Sequence, residues 1–298
     1  MKTAVIIARF QTPYLHEGHK QLISMVKENH VKLIILLGVS PLVGSRKNPY
    51  DYYTREKMIK KDYPEVIVLP ISDHPSDKTW SDSIDSLLKG VFPNEHFSLF
   101  GSRDSFIPYY SGRFETIELP EHGDYNATEL RKQYADKVFD SNDFRAGILY
   151  ALYNQYTKVY PTVDIACFRN SKTEILLGKK ATNNKWRFIG GFADPEDESY
   201  EAAAKRELME ECGDMEVGEM SYEISAKIND WRYRNEADKI ITLLFSCDFI
   251  SGSPAAQDDI IDLDWFPVAD LPKMMENQTI SPEHLDMFKV IITKYLKN

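Results

Sequence analysis

Cysteine is scarce in this chain. The three present, Cys167, Cys212 and Cys247, form no Cys-x-x-Cys pair, which excludes a disulfide framework. Cys167 and Cys247 lie inside apolar runs and read as buried thiols. No run of Lys and Arg stands out, and the formal net charge is -10. General nucleic-acid binding needs a basic stripe to neutralise phosphates, so that role is disfavoured. An acidic chain can still bind nucleotides, because a phosphate site needs only a few local donors. No apolar stretch is long enough to span a membrane. The opening run up to Ala8, followed by Arg9, is too short for a signal peptide and lacks a cleavage site. There is no internal repeat or low-complexity tract. These absences describe a reduced, soluble, cytoplasmic protein that binds neither nucleic acid nor membrane.

What is present is enough apolar sequence for two cores. At 298 residues, 43% hydrophobic and 28% charged, the chain has the length of about two ordinary domains. The first half alternates short apolar runs (Thr3 to Ala8, Lys32 to Val39, Val66 to Ile71, Phe97 to Gly101, Arg113 to Leu119) with helical spacings. The helices are expected at Lys20 to Asn29, Thr54 to Asp62, Trp80 to Val91 and Ala127 to Asp136. Continuous apolar strands alternating with helices predict a parallel sheet covered on both faces, a doubly wound α/β domain with ligands at the strands' carboxyl ends. The pattern changes near residue 140. A helix over Asp143 to Tyr156 reads as a connector or an interface element. Beyond Pro161, alternating strands (Thr162 to Phe168, Glu174 to Leu177, Glu219 to Ala226, Lys239 to Phe249) surround an Ala-rich helix, Ser199 to Cys212. A last helix runs from about Glu283 to Leu296. The expectation is an α/β protein with residues 1–140 as one domain, 141–160 as connector and 161–298 as an α+β domain.

Two segments carry chemistry. The first follows the opening strand and reads Arg9-Phe10-Gln11-Thr12-Pro13-Tyr14-Leu15-His16-Glu17-Gly18-His19. A helix start there offers free N–H groups and the positive end of a dipole to an anion. The imidazoles add donors, and Gly18 lets backbone approach a ligand. Such a site suits phosphoryl or nucleotidyl transfer, where positioning and charge stabilisation do the catalysis. Taken alone, His-x-Gly-His is better read as two surface histidines around a loop glycine.

The flanks resemble the nucleotidyltransferase superfamily and, within it, the nicotinamide mononucleotide adenylyltransferases. Asn48-Pro49-Tyr50 with Arg55 resembles that family's Asn-Pro-Phe segment. Gly101-Ser102-Arg103-Asp104 falls where it has a substrate loop. Asn126-Ala127-Thr128-Glu129-Leu130-Arg131 resembles its Ser-x-Thr-x-x-Arg signature, with Asn126 in place of Ser as helix cap. The loop between Gln11 and His16 is longer than the family's, which displaces Arg9 relative to His16. The resemblance implies transfer of an adenylyl group from ATP to nicotinamide mononucleotide, giving NAD and pyrophosphate. His16, His19 and Arg131 would hold the triphosphate. Arg9, Phe10, Gln11, Gly18, Asn48, Gly101, Arg103, Asp104 and Thr128 would line the substrate site. Trp80 would either stack on the nicotinamide ring or pack at a helix start.

The second segment runs from Gly190-Gly191 through Glu198 to Arg206-Glu207-Leu208-Met209-Glu210-Glu211-Cys212-Gly213. Glu207, Glu210 and Glu211 share one helix face. By spacing alone they are either a solvated acidic face or oxygen ligands for a hard divalent cation. The whole pattern resembles the Nudix box. From Glu198 to Gly213 every defined position matches. One extra residue separates Gly191 from Glu198, and Asp214 stands where an aliphatic residue is usual. The resemblance implies Glu207 and Glu211 as main ligands of Mg²⁺, with Mn²⁺ as alternative, and Glu210 close by. It pairs Arg206 with Glu198, and has Gly191 and Gly213 shape the loop and helix end. Asp264-Trp265-Phe266-Pro267-Val268 looks like a Nudix terminus, and Asp258-Asp259 before it like an acidic loop. Arg232 and Arg234 could contact a diphosphate or base, or belong to an ordinary exposed loop.

Fusion of the two resembles a bifunctional type whose Nudix half cleaves ADP-ribose to AMP and ribose 5-phosphate. The ligands implied are ATP, nicotinamide mononucleotide, NAD and ADP-ribose, with homo-oligomerisation left open. Two alternatives stand beside it: another acceptor for the transferase, and a Nudix domain that senses ADP-ribose or NAD without cleaving it.

Overall fold

The computed structural model describes residues 3–42, 44–102, 105–120, 122–123 and 125–296. The chain divides into two units, Met1–Tyr156 and Thr157–Asn298. Among the described residues no helix is long and apolar enough to cross a membrane.

In the first unit the order is β1 (Thr3–Ala8), α1 (Glu17–Glu28), β2 (Leu33–Val39), α2 (Tyr52–Asp62), β3 (Ile67–Ser72), α3 (Asp77–Val91), β4 (Phe97–Gly101), β5 (Glu115–Glu118), α4 (Ala127–Ala135) and α5 (Asn142–Tyr153). The five strands form one parallel sheet in the order β3-β2-β1-β4-β5. This is the doubly wound domain expected from the apolar runs. Side chains alternate across the pleat: Ala4 and Ile6 join Ile23, Val26 and Ile59 on one face, while Val5 and Ile7 join Ile84 and Leu88 on the other. Each fully buried Ile or Leu stabilises the fold by about 1.5–3 kcal/mol, so the two-sided burial specifies the register. α1 begins at Glu17, earlier than the apolar spacing from Lys20 suggested, because His16 caps it: the His16 ring accepts from the His19 N–H.

The second unit comprises β6 (Val159–Arg169), β7 (Glu174–Lys180), β8 (Trp186–Arg187), α6 (Tyr200–Cys212), β9 (Met215–Val217), β10 (Ser221–Ile228), β11 (Lys239–Gly252), β12 (Ile260–Pro267), α7 (Leu271–Glu276) and α8 (Leu285–Tyr295). Its mixed sheet has the central order β10-β11-β6-β7-β12. β6 and β11 run parallel, and the other neighbours are antiparallel. On one face Val163, Ile165 and Cys167 meet Ala203, Ala204 and Leu208 of α6. On the other, Ala166 and Phe168 meet Phe288 and Ile291 of α8. β12 went unread as a strand because two aspartates interrupt its apolar residues; its pairing with β7 supplies what the pattern lacks. α8 starts at Leu285, after a 3-10 turn at Pro282–His284.

Candidate functional sites

The first unit contains a cavity of about 780 Å³ at the carboxyl ends of β1 and β4. Of the residues singled out by sequence, Arg9, Phe10, His16, Gly18, His19, Trp80 and Gly101 line it. His16 and His19 stack at 3.5 Å between ring centroids, flanked by Tyr125 at 4.4 Å and Phe10 at 4.5 Å. Burial pushes the His16 imidazole below its ordinary pKa, and burial with the charge of His16 holds His19 down at about 3. Both rings are therefore neutral near neutral pH. With His16 Nδ1 accepting from the His19 N–H at 3.4 Å, the neutral ring carries its proton on Nε2, ready to donate. Among the described residues, His19 Nδ1 is buried without a hydrogen-bond partner. An orphaned ring nitrogen at a helix start fits a polar ligand group.

Arg9 lines the same cavity as His16. Its guanidinium donates to Asp73 at 2.6 Å and to Asn48 at 3.3 Å, so the ends of β1 and β3 and the segment after β2 meet there. Gln11 is buried, and its amide bonds both the N–H and the C=O of Tyr50 at 3.0 Å. Its polar groups are spent tying two loops together. Arg55, 1% exposed, does the same from α2, donating to the carbonyls of Arg9, Gly38 and Asp51. Arg131 donates to the Gln11 carbonyl and to Thr128 Oγ1, each at 3.0 Å. Asn126 caps α4 through the N–H groups of Thr128 and Glu129. Arg103 and Asp104 lie outside the described residues. Sequence reading missed Asp73, Lys47, His122 and Tyr125, which line or border the cavity. They lie in the loops after β2, β3 and β5, so no local spacing marks them.

The second site sits where α6 meets the Gly190-Gly191 turn. Gly190 has φ of +150°, and a Cβ there would fall 2.0 Å from the Val163 carbonyl oxygen, so only glycine fits. Its N–H donates to Glu211 Oε2 at 2.9 Å. A Cβ on Gly191 would strike the Glu207 carboxylate. Glu211 is 2% exposed, and burial pushes its carboxyl up to about 7 against the opposing pull of Lys180. Burial also raises Glu207. Glu210 is exposed and accepts from Arg206 at 3.0 Å. α6 ends at Gly213, whose φ is +76°.

One assignment changes. Arg206 does not pair with Glu198, which is exposed. Arg206 binds Asp197 through two hydrogen bonds of 3.0 and 2.9 Å and also donates to the Phe192 carbonyl and to Glu207. Those bonds hold the Asp197 carboxyl down at about 2. The extra residue between Gly191 and Glu198 is the reason: it turns Asp197, not Glu198, toward the helix. Arg232 is clamped by Asp230 and lies 5.4 Å from the Phe192 ring centroid, beside the box loop. Arg234 turns to Asn229.

Two cations missed by sequence reading complete the site. Lys180, ending β7, contacts Glu211 and Asp259 at 2.9 and 2.7 Å. Arg187 donates at 2.8 Å to buried His284, whose Nδ1 faces Asp164 Oδ1 at 3.5 Å. The acidic donor set on α6 is all carboxylate oxygen, the chemistry hard divalent cations take. Lys180 and Arg206 already stand among these oxygens as positive charges. Among the described residues no three His, Cys, Asp or Glu side chains converge on one point.

A NUDIX domain model matches residues 159–287. Over 136 residues the chain is 29% identical to the NAD-capped RNA hydrolase NudC of Deinococcus radiodurans, covering 44% of this chain and 45% of that protein. It thus spans less than half the length of that relative. Over 171 residues it is 25% identical to the nicotinamide/nicotinic acid mononucleotide adenylyltransferase of Acinetobacter baylyi, covering 54% of this chain and 87% of that protein. A crystal structure of a bifunctional NMN adenylyltransferase/ADP ribose pyrophosphatase from Francisella tularensis, complexed with AMP and a Mn ion, covers 99% of both chains with a TM-score of 0.40 and 19% identity. Residues 159–287 of this chain are a NUDIX domain, carried in one polypeptide with an N-terminal doubly wound α/β domain.

Proposed function

We propose that this is a bifunctional cytoplasmic enzyme of NAD metabolism. Its N-terminal domain transfers the adenylyl group of ATP to nicotinamide mononucleotide, and its NUDIX domain hydrolyses ADP-ribose to AMP and ribose 5-phosphate. The observation that carries the reading is that one chain holds two differently built clusters whose chemistry suits phosphate groups. One is a neutral histidine pair at the start of α1; the other is a carboxylate face on α6 braced to a Gly-Gly turn. Similarity to a mononucleotide adenylyltransferase and the NUDIX match support it. Residues 1–140 and 161–298 are proposed as the two catalytic domains, with 141–160 between them.

In the transferase, the start of α1 would take the ATP phosphates, with His16 Nε2–H donating to an oxygen. Arg131 would contribute charge from the first turns of α4. The mononucleotide phosphate attacks the α-phosphorus; one P–O bond forms as the bond to pyrophosphate breaks, and no protein nucleophile is needed. Trp80, lining the cavity, would pack on the nicotinamide ring. In the NUDIX domain, Glu207, Glu211 and, at the rim, Glu210 would hold Mg²⁺, or Mn²⁺. When bound, such an ion supplies positive charge to the diphosphate and acidifies a water. Arg206 and Asp197 keep the turn against α6, and Arg232 is placed to meet a phosphate.

The test is a substrate panel on the full chain: ATP with nicotinamide mononucleotide, and ADP-ribose, each with Mg²⁺, resolving NAD from AMP. Formation of NAD from the first pair and of AMP from the second is expected. Absence of NAD with other acceptors adenylylated overturns the acceptor assignment. Tight ADP-ribose binding without AMP release replaces hydrolysis by sensing.

A further inference from the structure

Lys180 ends β7 with its side chain 16% exposed, in contact with a Glu211 side chain that is 3% exposed. Its Nζ lies 2.9 Å from Glu211 Oε1 and 2.7 and 2.9 Å from the two oxygens of Asp259. The other Glu211 oxygen takes the Gly190 N–H at 2.9 Å. Both oxygens of the most buried α6 carboxylate are therefore engaged, one by backbone that cannot retreat and one by an ammonium on a flexible stem. Only the ammonium can yield. A lysine head is a compact point charge with no fixed bonding geometry, and Asp259 can keep it while Glu211 lets go.

We propose that Lys180 is a resident counter-cation that competes with divalent metal for Glu211. Metal at Glu211 and the Lys180–Glu211 pair exclude one another. When metal enters, Lys180 leaves Glu211 and keeps its two contacts with Asp259. The pair matches the Glu211 charge in the metal-free protein and weakens metal binding in the absence of substrate. The inference rests on the NUDIX metal reading and adds a residue to it.

The test measures Mn²⁺ binding to the full chain without nucleotide, from the electron paramagnetic resonance signal of free Mn²⁺. Wild type, Lys180→Met, Glu211→Gln and the double variant are compared. Lys180→Met should bind Mn²⁺ at the Glu211-dependent site roughly ten-fold tighter, and the gain should vanish in the Glu211→Gln background, as coupled neighbours require. Equal or weaker binding by folded Lys180→Met overturns the competition. Loss of any Glu211-dependent binding in wild type overturns the metal reading itself. A second measurement needs no variant: acetylation of Lys180 by a soluble active ester, quantified by mass spectrometry. Mg²⁺ should speed it several-fold by releasing the Lys180 amine from Glu211, and an unchanged rate refutes the displacement.

Discussion

Glu211→Gln should abolish hydrolysis and, without metal, stabilise the NUDIX domain at alkaline pH. Burial raises the Glu211 carboxyl from 4.5 to about 7. At about 1.4 kcal/mol per unit this is roughly 3 kcal/mol against the charged form, and about 1–2 kcal/mol after relaxation and water entry. The sign follows from linkage. A folded-state pKa above the unfolded one gives stability that is full below 4.5 and lost as pH rises through about 7. Glutamine keeps the acceptor for the Gly190 N–H and removes the titration. The amide NH₂ then faces Lys180 and cannot accept from it, so Lys180 turns wholly to Asp259. The assay is urea unfolding in chelator across about pH 5 to 8, followed by tryptophan fluorescence; Trp186, Trp231 and Trp265 report on this unit and Trp80 on the other. The variant should be about 1–2 kcal/mol more stable than wild type near pH 8, with a flatter pH dependence. AMP release from ADP-ribose with Mg²⁺ should fall at least ~100-fold. A variant less stable than wild type near pH 8, with the same slope, refutes the claim that burial of this charge opposes folding.

Three further outcomes follow from single geometries. Gly190→Ala would press a Cβ to 2.0 Å from the Val163 carbonyl and should cost about 3–5 kcal/mol of NUDIX-domain stability in denaturant melts; a loss under ~1 kcal/mol would mean the turn rearranges freely. Asp197→Asn should lower ADP-ribose hydrolysis by about ten-fold or more, as for a lost supporting shell, while Glu198→Gln leaves it unchanged; the reverse order would restore the spacing-based pairing of Arg206. His16 and His19 are held below 6.5, His19 at about 3, so neither should contribute an ionisation to NAD synthesis at and above neutral pH. Their stability contribution is present above 6.5 and lost as pH falls toward 3. An inflection near neutral in the kcat/KM profile that disappears in His16→Ala would contradict the neutral assignment.

Most of the longer elements and both motifs were legible in the chain because they are local. Apolar runs long enough for buried strands recur in the first half, and β1 and β4 fall where the runs place them. His16 and His19 straddle a helix start, and Glu207 and Glu211 fall one turn apart, so neighbouring residues suffice to put each pair on one face. Tertiary structure decided the partners. Arg206 chooses Asp197 over Glu198 because of how one inserted residue turns the loop, a matter of backbone path rather than spacing. Gln11 is committed to Tyr50, and Arg9 to Asp73, by loops that only the parallel strand order brings side by side. Lys180 reaches Glu211 because the packing of the sheet against α6 sets the end of β7 beside the last turn of that helix. Such contacts join segments distant in sequence. Chain statistics carry propensity and period, but which charge meets which depends on strand register and on the burial that makes each pairing matter.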